Sequence, residues 1–119
     1  MNITFIGGGN MASALIGGLL GKGFSVAQIS VIEINADNRA RLQRDFAIRA
    51  IENLAEGIAG SQVIVFAVKP QQLREVAQQL APLLSGQLLI SIAAGIRAAD
   101  VARWTKSEII IRAMPNTPA

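Results

Sequence analysis

A chain of 119 residues suits one compact domain around a single core and is too short for two. Hydrophobic residues make up 51% and charged residues 16%, which excludes intrinsic disorder. Eleven Lys and Arg against eight Asp and Glu leave a formal charge of +3 with no basic run, and aromatics reach only 4%, so nucleic-acid binding is not expected. The chain has no Cys, His or Tyr. Disulfides, thiolate nucleophiles, the Ser-His-Asp triad and the usual zinc sites are thereby excluded, and no metal site is expected. The remaining routes to chemistry are carboxylates, Lys, backbone groups and a cofactor. Two stretches, Met1–Gly21 and Val76–Ile96, carry no charge. The first is glycine-rich and lacks the basic start of a signal peptide, and the second is interrupted by Pro82 and Gly86, so no membrane span is expected. The lack of cysteine and of an export signal fits a cytoplasmic protein.

In chain order, Asn2–Ile6 is a strand and Asn10–Lys22 a helix with Met11, Leu15, Ile16 and Leu19 at helical spacing. Gly21 and Gly23 suit its end. Ile29–Ile34 is the second strand. A polar, Arg-rich helix follows over Asp37–Phe46, with Asn35 or Asp37 as N-cap. Ile48–Ala50 is a short strand and Leu54–Ile58 a short helix. Gln62–Val68 is an apolar run of the kind that both faces of a sheet cover. Pro70 opens the helix Gln71–Leu84, which breaks near Pro82. Gln87–Ala93 is a strand, Ala98–Trp104 a short helix and Glu108–Ala113 the last strand. Met114–Ala119, with two prolines, is extended. Alternation of this length implies parallel strands with right-handed crossovers. The fold expected is a Rossmann-type doubly wound parallel sheet in three α/β/α layers.

The first turn, Phe5-Ile6-Gly7-Gly8-Gly9-Asn10-Met11-Ala12, holds G-x-G-x-x-A between a strand and a helix. Gly7 turns the chain off the strand. Gly9 has no side chain, so a pyrophosphate can approach the backbone. Ala12 lets the helix pack on the strand, and the helix N-terminus presents N–H groups to phosphate. Glu33 follows Gly9 by 24 residues at the end of the second strand, where an acidic residue accepts a ribose 2′-hydroxyl. That leans towards NAD(H). Arg39 and Arg41, on the next helix, are read as solvated; turned towards a 2′-phosphate they would favour NADP(H). Asn53 either meets the adenine end of a cofactor or caps the helix Leu54–Ile58.

The sequence then carries Ala67-Val68-Lys69-Pro70 at a strand end, Ser91-Ile92-Ala93-Ala94-Gly95, and Arg112-Ala113-Met114-Pro115-Asn116-Thr117-Pro118-Ala119. With the opening Phe5-Ile6-Gly7-Gly8-Gly9-Asn10-Met11, this set in this order closely resembles the N-terminal half of pyrroline-5-carboxylate reductase, over essentially the whole chain. The resemblance implies a Rossmann domain binding NADP or NAD in reduced form, and a C-terminal helical domain that dimerises and completes the active site. On that reading residues 1–119 are the cofactor-binding domain, the second domain is absent, and this piece alone is inactive. The resemblance places Gly7, Gly8, Gly9, Asn10 and Met11 on the pyrophosphate. It sets Val68, Lys69 and Pro70 beside the cofactor, Ala94 and Gly95 at the nicotinamide, and Asn116 and Thr117 near nicotinamide and substrate. Taken singly, Lys69 reads as an exposed strand end, Ala94-Gly95 as a turn and Asn116-Thr117 as a Pro-flanked loop. The implied reaction is hydride transfer to the C=N carbon of 1-pyrroline-5-carboxylate, giving L-proline in the last step of proline biosynthesis. A protonated imine needs neither nucleophile nor metal, which suits a chain without His, Cys or Tyr. No catalytic acid is identified, and the homo-oligomer implied for the whole protein forms through the absent domain.

Two other readings share the first turn: a module that binds a dinucleotide without turnover, and another Rossmann reductase of the F420-dependent or β-hydroxyacid dehydrogenase type.

Overall fold

The computed structural model describes residues 1–92, 96–107 and 109–112. Among these, six strands form one parallel sheet in the order β3-β2-β1-β4-β5-β6. They are β1 (Ile3–Ile6), β2 (Ile29–Ile32), β3 (Arg49–Ile51), β4 (Val63–Phe66), β5 (Leu88–Ser91) and β6 (Ile110–Arg112). The helices between them are α1 (Asn10–Gly21), α2 (Ala36–Phe46), α3 (Leu54–Ile58), α4 (Pro70–Leu80) and α5 (Ala98–Thr105). Short 3-10 turns cover Val26–Gln28 and Ala81–Leu83.

Alternate strand residues serve opposite faces, because strand side chains alternate. Ile3, Phe5, Val31, Val63 and Val65 pack with Ala12 and Ile16 of α1 and Leu42 of α2. Ile6, Ile32, Ile64, Phe66 and Leu89 pack with Ile58 of α3, Leu73, Ala77 and Leu80 of α4, and Val101 of α5. β1 and β4 are buried at every position, so neither alternates: β4 reads as an unbroken apolar run and β1 as one interrupted only by Thr4. Leu73, Ala77 and Leu80 recur at helical spacing and give α4 one buried stripe. Thr4 is the polar residue inside β1. Its hydroxyl donates to the Gly57 carbonyl at 2.8 Å and is also hydrogen-bonded to Ser61.

Local chemistry sets the ends. Asn35 caps α2 by accepting the Asn38 N–H, and Ala47 closes that helix in the left-handed region at φ 57°. Pro70 starts α4 at its first position, where a missing N–H costs nothing. α4 ends at Leu80, and the residues around Pro82 form the 3-10 turn, as the helix break expected there required. The second strand, expected to run through Ile34, stops at Ile32. Glu33 still donates its N–H to the Ile51 carbonyl at 2.8 Å, but Ile34 turns outward and is 79% exposed. The strand expected over Gln62–Val68 is likewise shorter: β4 runs Val63–Phe66, Ala67 still donates its N–H to the Ile6 carbonyl at 2.8 Å, and Val68 and Lys69 turn away to line the cleft described below. The capped 3-10 turn at Ser25–Gln28 was not expected; Ser25 and Gln28 bond each other's backbone as a capping box.

Gly57 is essential to the packing of α3 on β2. A Cβ there would lie 2.2 Å from Cγ1 of Ile32 and 2.4 Å from its Cδ1. Gly→Ala in a helix ordinarily stabilises by about 0.5–1 kcal/mol. Gly57→Ala is expected instead to lower the free energy of unfolding by about 1–3 kcal/mol through overpacking, read as a lower urea midpoint at unchanged slope. Combining it with Ile32→Ala should cost less than the sum of the two single changes.

Candidate functional site

The chain runs β1, β2, β3 towards one edge of the sheet, then crosses β1 to place β4 on its other side. The loops after β1 and β4 therefore diverge, and a crevice opens at the carboxyl ends of the strands, where open α/β sheets bind ligands. A cleft of about 470 Å³ lies there. It is lined by Gly7, Gly8 and Gly9 after β1, Glu33 and Ile34 after β2, Glu52 and Leu54 around the start of α3, and Val68 and Lys69 after β4.

The glycine turn is held at three levels. Gly7 has φ +100°, and a Cβ on it would meet the Ala67 carbonyl oxygen at 2.7 Å. Two strand ends pass too close for any side chain, and the Gly7 N–H donates to the Ile32 carbonyl at 2.8 Å. Gly8 is buried, and a Cβ there would lie 2.6 Å from Leu42 Cδ1. Gly9 is different. Nothing lies within 4 Å of its would-be Cβ, and its backbone is extended at φ −80°. It is the N-cap of α1, with no side-chain cap and no acidic residue in the first turn. An uncapped helix start facing open space offers backbone donors and a partial positive charge to an anion. Ala12, fully buried, allows α1 to sit against β1. Asn10 and Met11 are exposed beside the turn.

Glu33 is drawn into the turn. Its Oε1 accepts the Gly8 N–H at 2.9 Å and Asn38 Nδ2 at 3.3 Å, and its Oε2 accepts the Asn35 N–H at 3.1 Å. A carboxylate has about four acceptor positions, so one remains on Oε2, enough for a single hydroxyl. Arg39 and Arg41, expected to be solvated, are half-buried and hydrogen-bonded to backbone carbonyls. Arg39 Nη1 donates to the carbonyls of Glu33 and Ile34, both at 2.9 Å, and lies 3.7 Å from Glu52 Oε2. Arg41 Nη2 donates to the Gly8 carbonyl at 2.9 Å. Orphan carbonyls beyond β2 and within the glycine turn recruit these guanidinium groups, because α2 runs back over the turn.

Asn53 caps α3 by accepting the Glu56 N–H at 2.9 Å; the cleft is lined by its neighbours Glu52 and Leu54. Lys69 is the N-cap of α4, exposed, with Pro70 behind it and the half-buried Val68 before it. Among the described lining residues Lys69 carries positive charge, and Glu33, Glu52 and Glu75 carry negative charge. Ala94, Gly95, Asn116 and Thr117 lie outside the described residues. Ile34, Asn38, Glu52 and Leu54 were missed from sequence. The strand order makes them legible, since it sets the carboxyl end of β3 beside that of β2.

Together, the sheet order, the glycine turn and the switch-point cleft define a Rossmann-type α/β domain. The family model described as NADP oxidoreductase, coenzyme F420-dependent, matches residues 2–95, and the chain belongs to that family. It is 47% identical to the pyrroline-5-carboxylate reductase of Pseudomonas aeruginosa over 98% of this chain and 44% of the relative. The structure of a pyrroline-5-carboxylate reductase from Coxiella burnetii superposes with a TM-score of 0.92 at 36% identity, covering 98% of this chain and 44% of that one. The Plasmodium falciparum pyrroline carboxylate reductase with NADP bound superposes with a TM-score of 0.84 at 28% identity, covering 99% and 43%. The chain thus spans less than half the length of these relatives. Among the described residues, no helix is long and apolar enough to cross a membrane.

The contrast between the glycines is testable. Gly7→Ala is expected to destabilise the fold by about 1–3 kcal/mol, from positive φ and the Ala67 clash. Gly9→Ala should leave the melting temperature within about 1 °C of the parent, since its Cβ enters open space. Calorimetric melting of the two variants side by side checks both.

Proposed function

We propose that this chain is the cofactor-binding domain of a pyrroline-5-carboxylate reductase, which reduces 1-pyrroline-5-carboxylate to L-proline with NAD(P)H. One observation carries the reading: the uncapped start of α1, with nothing above Gly9, opens into the switch-point cleft. Identity of 47% to the Pseudomonas aeruginosa enzyme supports this substrate over the other Rossmann reductases.

Bound NAD(P)H supplies the hydride. The backbone N–H groups from Gly9 into the first turn of α1 bind the pyrophosphate, with Lys69 adding positive charge across the cleft. Oε2 of Glu33 accepts one hydroxyl of the adenosine ribose. Its negative charge, with Glu52 nearby, disfavours a 2′-phosphate, and Arg39 and Arg41 are already committed to backbone carbonyls. That favours NADH. Ile34 and Leu54 offer apolar surface to the adenine. Val68, Lys69 and Pro70 border the path to the nicotinamide, towards which the family resemblance also places Ala94, Gly95, Asn116 and Thr117. Rate enhancement then comes from holding hydride donor and imine carbon in contact, rather than from a nucleophile. The substrate side is completed by the part of the relatives that this chain does not span, and dimerisation belongs to that part too. The setting proposed is cytoplasmic.

Titration calorimetry with NADH and NADPH tests the cofactor half. Saturable binding is expected, tighter for NADH. Gly9→Val, its folding checked by circular dichroism, should weaken both at least tenfold, because its side chain fills the phosphate approach. A folded parent chain that binds neither overturns the reading. The substrate half is tested by joining residues 1–119 to the remaining portion of the Pseudomonas aeruginosa relative. The chimera is expected to oxidise NAD(P)H when 1-pyrroline-5-carboxylate is added. A folded chimera that binds cofactor without turnover leaves only a binding module.

A further inference from the structure

The peptide groups on either side of Gly8 are each tied to a charged side chain from the β2–α2 segment. The Gly8 N–H donates to Glu33 Oε1, and the Gly8 carbonyl accepts from Arg41 Nη2, both at 2.9 Å. Gly8 itself is buried, wedged against Leu42. In a trans peptide the N–H points opposite to the C=O. Holding the Gly8 carbonyl towards Arg41 therefore aims the Gly9 N–H away from α2. Glycine alone does not impose that orientation, because a glycine-flanked peptide rotates at little steric cost. A turn that had to choose its orientation on ligand arrival would lose affinity to the ordering.

We propose that Arg41 is a positioning residue for phosphate recognition. Together with Glu33 it clamps the Gly8 peptides and presets the Gly9 N–H as a phosphate donor, without itself touching the cofactor. The proposal rests on the dinucleotide reading above. It assigns to Arg41 a role that is blind to the 2′ position, unlike the phosphate-seeking role an arginine on this helix suggests.

The test compares dissociation constants of adenosine, ADP, NADH and NADPH for the parent chain, Arg41→Met and Arg41→Lys. Arg41→Met is expected to weaken ADP, NADH and NADPH alike by about tenfold, the effect of losing one charge-assisted hydrogen bond, and to leave adenosine unchanged. Arg41→Lys, which keeps a donor, should recover part of the loss. A purely structural residue would lower the melting temperature yet leave the affinities of the folded variant intact. If Arg41→Met does not fold, Arg41→Gln carries the same comparison, since it loses the reach to the Gly8 carbonyl. Unchanged ADP affinity in a folded variant overturns the clamp. Selective loss of NADPH also overturns it and makes Arg41 a 2′-phosphate ligand. A parent chain that binds none of the four removes the dinucleotide reading, and the clamp with it.

Discussion

The close passage of the turn after β1 against the end of β4 is the constraint on which the rest depends. Gly7 and Ala67 approach so nearly that a Cβ on Gly7 would lie 2.7 Å from the Ala67 carbonyl oxygen. β1 lies between β2 and β4 at the centre of the sheet, with β1 and β4 buried throughout and β2 at every position but Ser30. Because the chain reaches β4 only after running out to β3 and back, the two loops at this point must part. The crevice between them follows from the crossover rather than from any one side chain. Gly7 lets the strands pair up to the very edge of that crevice, so that Gly8 and Gly9 stand on its rim.

A polar layer is built on that apolar foundation. Glu33 and Arg41 hold the two sides of Gly8, Arg39 covers the carbonyls beyond β2, and Asn35 and Asn53 cap the helices that follow β2 and β3. Each partner is a backbone group left without a ladder or helix bond, which explains why charged side chains lie partly buried here. The result is an asymmetric cleft. Its β2–β3 side carries Glu33 and Glu52, its β4 side carries Lys69 together with Glu75 of α4, and the start of α1 between them has no side-chain cap.

The two glycines of the fingerprint, although identical in composition, do different work. Gly7 is required by the fold, since both its φ and its surroundings forbid a side chain. Gly9 has room for one and an ordinary backbone conformation, so the fold does not require its lack of a side chain. Gly57, outside any fingerprint, resembles Gly7: the Ile32 side chain fills the space its Cβ would need.

Much of this was legible from residues alone. The apolar run that became β4, the helical spacing of Met11, Leu15, Ile16 and Leu19, Pro70 at the head of α4, and Asn35 as one of two candidate caps for α2 are local signals, set by period and by backbone chemistry, and they identified the elements and the parallel fold. The glycine turn and Glu33 are near neighbours of a strand end, so their place at the cleft was legible too. What the sequence could not determine depends on contacts between distant segments. The length of β2 was decided by its neighbour strands, the need for glycine at position 57 by Ile32, and the partners of Arg39 and Arg41 by where α2 lies over the turn. Ile34, Asn38, Glu52 and Leu54 joined the site only because the sheet order sets β3 beside β2. Sequence pattern determines which segments become strands and helices, since that follows from neighbours three or four residues away. Tertiary structure decides which backbone groups are left unpaired, and hence which side chains are drawn to them.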